Sequence, residues 1–381
     1  MEIDKIKELE GLPLELIHSP YSYICNFYEN MFPCIGKKVF SILSLVPGSI
    51  SIPKIDAEVK QIKQKISLLW LSPTGSGKTS IAKEFEKIAL NPLSTQKMTP
   101  ARLVYEVYKR SNEKEIPKIT LIVSDIATMF SDEETIKLLE GAIGEEAEIS
   151  RNTMRNKDSL INRKVDCVAF LSGTSKVVFD NKVRDGILGR CSSLVTSFFE
   201  EENKIIINHI NPRMGKPLRE NSSSNDIKQY YNSLFKIQDG THSEIKPING
   251  YIIPEEIRQD IGNFVLSSKP LKVILQKWGI TSARALEETY RFLVNSAFLN
   301  IYNRRIEDNK LVVSREDLEV AKRLAYQESI QTYRILKGIE SIDYFNIQTE
   351  RDLREFEKKM QERNKPISKD MDYILRGGLK T

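Results

Sequence analysis

Three observations predict an α/β fold with a largely parallel sheet flanked by helices. Short apolar runs recur along the middle of the chain, and helix-like stretches separate them. One run passes into a helix through the glycine-rich string SPTGSGKTS (72–80). Runs that are apolar throughout are what strands buried on both faces look like, and strands that alternate with helices pair in parallel.

In chain order, residues 1–60 mix helix-like stretches with turn residues such as VPGSISIPK, and form an N-terminal segment. A core follows over 61–200. ISLLWL (66–71) reads as its first buried strand. TSIAKEFEKIAL (79–90) reads as a helix with Ile81, Phe85, Ile88 and Ala89 on one face. ITLIV (119–123), VDCVAFL (165–171) and SSLVTSFF (192–199) are the further strands. Residues 201–250 read as a linker or insertion, because 213–248 is polar and rich in turn residues around one possible helix. Residues 251–335 read as helical: Leu286, Tyr290, Leu293 and Ala297 repeat at helical spacing, and Ser314 with Asp317 forms a capping-box pattern at the head of the next helix. Residues 336–381 read as a C-terminal helical segment.

Composition sets bounds on function. With 381 residues the chain can form two or three domains. No apolar run approaches the roughly 18 residues that span a bilayer, and the charged start MEIDKIKELEGLPLEL carries no apolar signal core, so neither a membrane partner nor export is expected. Cys25, Cys34, Cys167 and Cys191 are scattered with no C-x-x-C pair, which fits reduced thiols in a cytoplasm better than a zinc knuckle. A net charge of +5 permits a nucleic-acid partner without indicating one.

The string Ser72, Pro73, Thr74, Gly75, Ser76, Gly77, Lys78, Thr79, Ser80 has the parts that a nucleoside triphosphate needs. Gly75 and Gly77 let backbone N–H groups wrap closely around phosphates, Lys78 reaches the β- and γ-phosphates, and Thr79 offers a hydroxyl to Mg²⁺ at a helix N-terminus. ATP and Mg²⁺ are the expected cofactors. Ser72 stands where such loops usually carry their first glycine. Asp125 ends the strand in LIVSDIATMF (121–130), where an acid that binds Mg²⁺ belongs. Enzymes that split ATP usually place a second acid beside the first, but the neighbours here are Ser124 and Ile126.

These elements in this order resemble an AAA+ ATPase, and more closely the MCM replicative helicase family. DIATMFSDEETIKLLEGAIGEEAEIS (125–150), DGILGRCSSL (185–194) and GITSARALEETYRFLVNSAF (279–298) carry the resemblance, which covers roughly residues 60–200 and 250–335. It implies a P-loop AAA+ core followed by an α-helical lid. It places Arg190 on the arginine finger, which acts on a neighbouring subunit's nucleotide, and Arg284 on the sensor 2 arginine. The sensor 1 polar group falls in FLSGTSK (170–176), on Ser172, Thr174 or Ser175, of which Thr174 is preferred. The final segment resembles the first part of the winged-helix module that follows the lid in archaeal members.

The family resemblance also makes residues 151–164 a β-hairpin projecting into a ring channel. Arg151, Arg155, Lys157, Arg163 and Lys164 would there contact the phosphates of single-stranded or forked DNA without reading sequence. It implies a hexameric homo-oligomer acting in DNA replication, possible replication partners, and a cytoplasmic setting in an archaeal cell or in the host of a mobile element. The chain departs from the family in three ways: it has no long N-terminal OB-fold and zinc module, a short insertion at 91–118, and only one acid over 124–126. The spacing to the acidic turn makes Asp125 the first acid of the pair, with Ile126 in place of the second. The match of IATM to the family's FDKM makes it the second, with Ser124 in place of the first. Glu133 or Glu134 are other sources of the missing carboxylate. Two functions therefore stand: an ATP-hydrolysing helicase or translocase, and an ATP-gated assembly or adaptor protein with little turnover. A P-loop small-molecule kinase is a weaker third, since no acceptor-binding signature is present.

Overall fold

The computed structural model describes residues 6–50, 52–53, 55–56, 61–62, 64–95, 99–110, 116–126, 133–144, 148–152, 160–174, 187, 190–196, 200–213, 222–267 and 282–337. The chain opens with helices α1 (Leu14–His18), α2 (Pro20–Met31), α3 (Gly36–Leu43) and α4 (Val46–Ser49), then a small antiparallel pair, β1 (Ile55–Asp56) with β2 (Gln61–Ile62). Strand β3 (Leu68–Leu71) leads into α5 (Lys78–Ile88). There follow β4 (Pro92–Thr95), α6 (Pro100–Arg110), β5 (Lys118–Val123), α7 (Glu133–Ile143), β6 (Glu148–Asn152), β7 (Leu160–Lys164), β8 (Asp166–Gly173) and β9 (Ser192–Val195). The rest is mainly helical: α8 (Glu200–Ile210), α9 (Ser222–Gln238), α10 (Glu255–Ser267), α11 (Ser282–Leu299) and α12 (Arg315–Lys337). Three short strands, β10 (Gly250–Ile252), β11 (Ile306–Glu307) and β12 (Lys310–Val312), form a small separate sheet.

The main sheet has five strands in the order β4-β5-β8-β3-β9, and every pairing in it is parallel. Its two faces alternate along each strand, as the pleat requires. Leu68, Trp70, Ile122, Val168, Phe170 and Leu194 face one core; Leu69, Leu71, Leu121, Val123, Ala169 and Leu171 face the other. Helices on both faces are why these strands read as unbroken apolar runs rather than as alternating ones.

On the first face, Phe170 stacks against Trp70 with ring centroids 6.3 Å apart and meets Phe85 of α5 edge-on at 5.7 Å. The Trp70 indole N–H is satisfied by Thr196 Oγ1 at 3.0 Å, so its burial strands no donor. The same core is continuous with the N-terminal helices and with α9 to α12. Polar clamps tie these distant parts together. Tyr231 donates to the Ser44 carbonyl at 2.6 Å, Tyr230 to Leu299 at 2.6 Å, and Asn303 Nδ2 to Ile17 at 2.6 Å. Within the N-terminal block α2 and α3 approach so closely that a Cβ on Gly36 would lie 1.8 Å from the Tyr28 carbonyl oxygen, so only glycine fits there. The second face is covered by α6 and α7.

The capping box at the head of α12 forms. Ser314 Oγ accepts from the Asp317 amide, and Asp317 Oδ2 accepts from the Ser314 amide at 3.0 Å. Asp317 also accepts from Ser296 Oγ and from the Arg304 guanidinium, whose Nε lies 2.8 Å away, which locks the start of α12 to the end of α11. Burial pushes the Cys25 and Cys167 thiols up to about 12 and leaves them poor nucleophiles. Among the described residues, no helix is long and apolar enough to cross a membrane.

Candidate functional site

The glycine-rich string forms the turn from β3 into α5, at the C-terminal edge of the sheet, where α/β proteins bind ligands. Gly75 and Gly77 have φ of +83° and +81°, and no atom lies within 4 Å of where a Cβ on either would stand. Backbone torsion, rather than crowding, therefore demands glycine here, and the space beside both α-carbons stays open. Ser72 is absent from the left-handed region that Gly75 and Gly77 occupy, which explains why a serine can replace the usual first glycine. It is buried, and its hydroxyl lies 2.5 Å from Ser76 Oγ.

Lys78, the first residue of α5, donates Nζ to the carbonyls of Pro73 and Ser72 at 2.7 and 3.0 Å. Burial lowers its pKa, and the nearby Asp125 carboxylate works against that lowering. Thr79 and Ser80 are exposed in the first turn of α5. A glycine-bent loop with open space beside it, an ammonium at its mouth and an exposed hydroxyl at a helix N-terminus fit a triphosphate and its Mg²⁺ ion.

Asp125 lies just past the end of β5, with β8 between β5 and β3. Two strand spacings put the acid strand about 10 Å from the P-loop strand. The C-terminal end of β8 fills the middle of that gap. Ser72 N donates to the Gly173 carbonyl at 3.0 Å on one side, and Ser172 Oγ donates to the Ser124 carbonyl at 3.0 Å on the other. Ser172 is thus a buried strap between strands. Thr174, the next residue but one, is half-exposed at the mouth of the gap; Ser175 lies outside the described residues.

The two neighbours of Asp125 differ. Ile126 is fully buried and packs on the Gly173 backbone so tightly that a Cβ there would lie 2.5 Å from Ile126 Cγ1. Asp125 itself is exposed, and Ser124 is half-buried. The residue after the acid is therefore an apolar anchor of the second core. In the sequence alone Ile126 stands out only as a missing acid.

Arg190 is exposed at the turn into β9, with its Nε 3.1 Å from where a Cβ on Gly144, just past α7, would stand. Arg284 lies in the first turn of α11 beside a carboxyl group that the sequence did not single out, that of Glu328 on α12. Burial pushes the Glu328 carboxyl well above the usual range, and the neighbouring Glu288 carboxylate adds to this. Arg291, Arg284 and a hydrogen bond with Ser192 of β9 pull the other way. Glu288 Oε1 accepts from Arg291 Nη1 at 2.6 Å, while one carboxyl oxygen each of Glu288 and Glu328 is buried with no hydrogen-bond partner. No local pattern in the sequence joins Glu288 and Glu328, which lie on two different helices.

The stretch 151–164 includes most of an antiparallel hairpin, β6 with β7, in which Glu148 pairs with Lys164 and Asn152 with Leu160. Arg151 lies on β6, and Arg163 and exposed Lys164 on β7; Arg155 and Lys157 lie outside the described residues. The C-terminal segment beyond Lys337 lies outside them as well.

No family model and no curated protein matches the chain. The reading of the site therefore rests on its own geometry.

Proposed function

We propose that the chain is an MCM-like AAA+ ATPase that binds ATP with Mg²⁺ and acts on DNA as a ring-forming helicase or translocase, in a cytoplasmic setting. One arrangement carries this reading: the P-loop and Asp125 stand on parallel strands with β8 between them, close enough for the acid's charge to reach Lys78. The N–H groups at the start of α5 and the Lys78 ammonium hold the phosphates. Thr79 and Asp125 hold the metal ion, whose charge offsets that developing on the phosphates. Thr174, just past β8, serves the end of the phosphate chain. Arg190 serves the site of the next subunit in a hexamer, and Arg284 stands on the lid. Arg151, Arg155, Lys157, Arg163 and Lys164 meet DNA phosphates.

A second reading, an ATP-gated adaptor that recruits partners to DNA with little turnover, is favoured by the burial of Ile126, since no carboxylate follows Asp125 directly. Steady-state ATP hydrolysis with and without single-stranded DNA, beside Lys78→Ala, separates the two. DNA-stimulated turnover that vanishes in Lys78→Ala supports the motor. Tight ATP binding without turnover supports the adaptor. Absence of ATP binding refutes both.

A further inference from the structure

Far from the P-loop, a cavity of about 590 Å³ opens between α9, the N-terminal segment at Lys7 and Glu8, and the loop that follows α9. Its lining is polar: Asn225, Lys228, Asn232 and Lys236 run along one face of α9, and Lys7 and Thr241 face them. Among the described residues, none of the three ammonium groups has a carboxylate partner in an ion pair. The one acid in the cavity wall, Glu8, is already engaged. It accepts from Ser243 Oγ at 2.6 Å and from Ser243 N at 3.1 Å.

The walls are held in place before any ligand arrives. Gln229 Nε2 donates to the carbonyls of Glu10 and Glu8, at 3.2 and 3.4 Å, pinning the N-terminal segment to α9. Gly240, at φ +71°, turns the chain back at the end of α9 so that Thr241 N and His242 N both donate to the Lys236 carbonyl. His242 Nδ1 accepts from the amides of Glu244 and Ile245 at 3.1 Å, which leaves its Nε2 proton for Tyr302 OH at 3.1 Å. A preformed concavity keeps low the ordering cost that lone surface lysines would carry.

The cavity stands apart from the nucleotide site. Asp239, at the end of α9, reaches Lys118 Nζ at 3.7 Å, and Lys118 is the first residue of β5. Asp125 follows the other end of that six-residue strand, about 20 Å away. Lys228 and Lys236 are separated by about 12 Å of helix, which is room for more than one phosphate.

We propose that this cavity is a second anion site, which binds a ligand carrying several phosphates, either a nucleic-acid strand or a free polyphosphate chain. The amide side chains and Thr241 add neutral donors to the three charges, and this mix suits phosphate oxygens better than an apolar ligand. The proposal does not depend on ATP turnover, because it is tested with the P-loop silenced.

The parent for the test is the full chain carrying Lys78→Ala, and Lys228→Glu with Lys236→Glu is added to it. A fluorescein-labelled 20-nucleotide single strand is titrated by anisotropy and tripolyphosphate by calorimetry, at 50 and 200 mM salt. The parent is expected to bind, and the double reversal to weaken binding by about tenfold or more at low salt, where charge is least screened. Both lysines are solvent-facing, so thermal melts of parent and variant should coincide. A loss confined to the strand identifies a nucleic acid as the source, and a loss confined to tripolyphosphate identifies a small polyphosphate. No binding by the parent, or equal binding by parent and variant, overturns the proposal.

Discussion

Replacing Ile126 with glutamate places a carboxylate directly after Asp125, where a water-orienting base would sit if Asp125 is the first acid of a pair. The structure makes this a costly change rather than a repair. Ile126 has no exposed surface, and its Cγ1 presses on the Gly173 backbone. A carboxylate there enters the core formed by Leu69, Leu121, Val123 and Leu171 with no partner of opposite charge in that cluster. An uncompensated buried charge costs about 3–5 kcal/mol. Over 381 residues the entropy of unfolding is about 0.8 kcal/mol per kelvin, so the melting temperature should fall by about 4–6 °C if the chain melts as one unit. The drop should shrink at acid pH, where the carboxyl is neutral. Asp125→Asn is the control: the side chain is exposed, so the melting point should hardly move. Calorimetric melts and steady-state ATP hydrolysis on both variants give the answer. Wild-type stability together with faster turnover in Ile126→Glu would refute the reasoning, because residue 126 would then face the nucleotide.

Two further outcomes follow from buried charge. Glu328 has its folded pKa raised by burial and by Glu288, so the stability it lends is fully present below the ordinary carboxyl value and is lost as pH rises through the folded value. Glu328→Gln should therefore melt increasingly above the wild type as pH rises from about 4.5 to 8; parallel melting curves across that range would count against a buried acid. Asp317→Ala leaves the Arg304 guanidinium, only 8% exposed, without its main partner and removes the half of the capping box that satisfies the Ser314 amide. A loss of about 3–5 kcal/mol is expected in chemical denaturation, and a change below about 1 kcal/mol would show that the network is dispensable.

The strands at 68–71, 118–123, 166–173 and 192–195 were legible because both faces of the sheet are covered, which puts apolar side chains on both faces of each strand instead of one. The strand at 92–95 was not, because PLST is short, opens with proline and lies at the sheet edge, where nothing enforces apolar character on both faces. The P-loop was legible because its chemistry is local: two glycines, a lysine and a threonine adjoin in sequence. The opposite holds for the region read as a linker. There α9 buries Ile227, Tyr230, Tyr231 and Leu234 against helices that lie far away in the chain, a fact that no window of sequence carries. FLSGTSK offered Ser172, Thr174 and Ser175 with Thr174 preferred, and it is the pairing of β8 between β3 and β5 that makes Ser172 a strap and leaves Thr174 half-exposed. The cavity lysines were invisible for the same reason, since Lys7 and Lys228 meet across more than two hundred positions.

The clamps between the N-terminal helices and the later ones set an order of assembly. Tyr231 and Ser44 are 187 positions apart, and Asn303 and Ile17 are 286 apart. On a ribosome the first fifty residues therefore emerge long before the surfaces that bury Tyr28, Phe40 and Val46 exist. Contacts of such separation close slowly, since the loop entropy must be met before they form. The nucleotide loop, by contrast, needs only β3, α5 and the strands that flank β3, the last of which ends at Val195. A nascent chain can thus present its phosphate cradle while its opening helices still expose apolar faces, and it is in that interval that this protein most needs protection from aggregation.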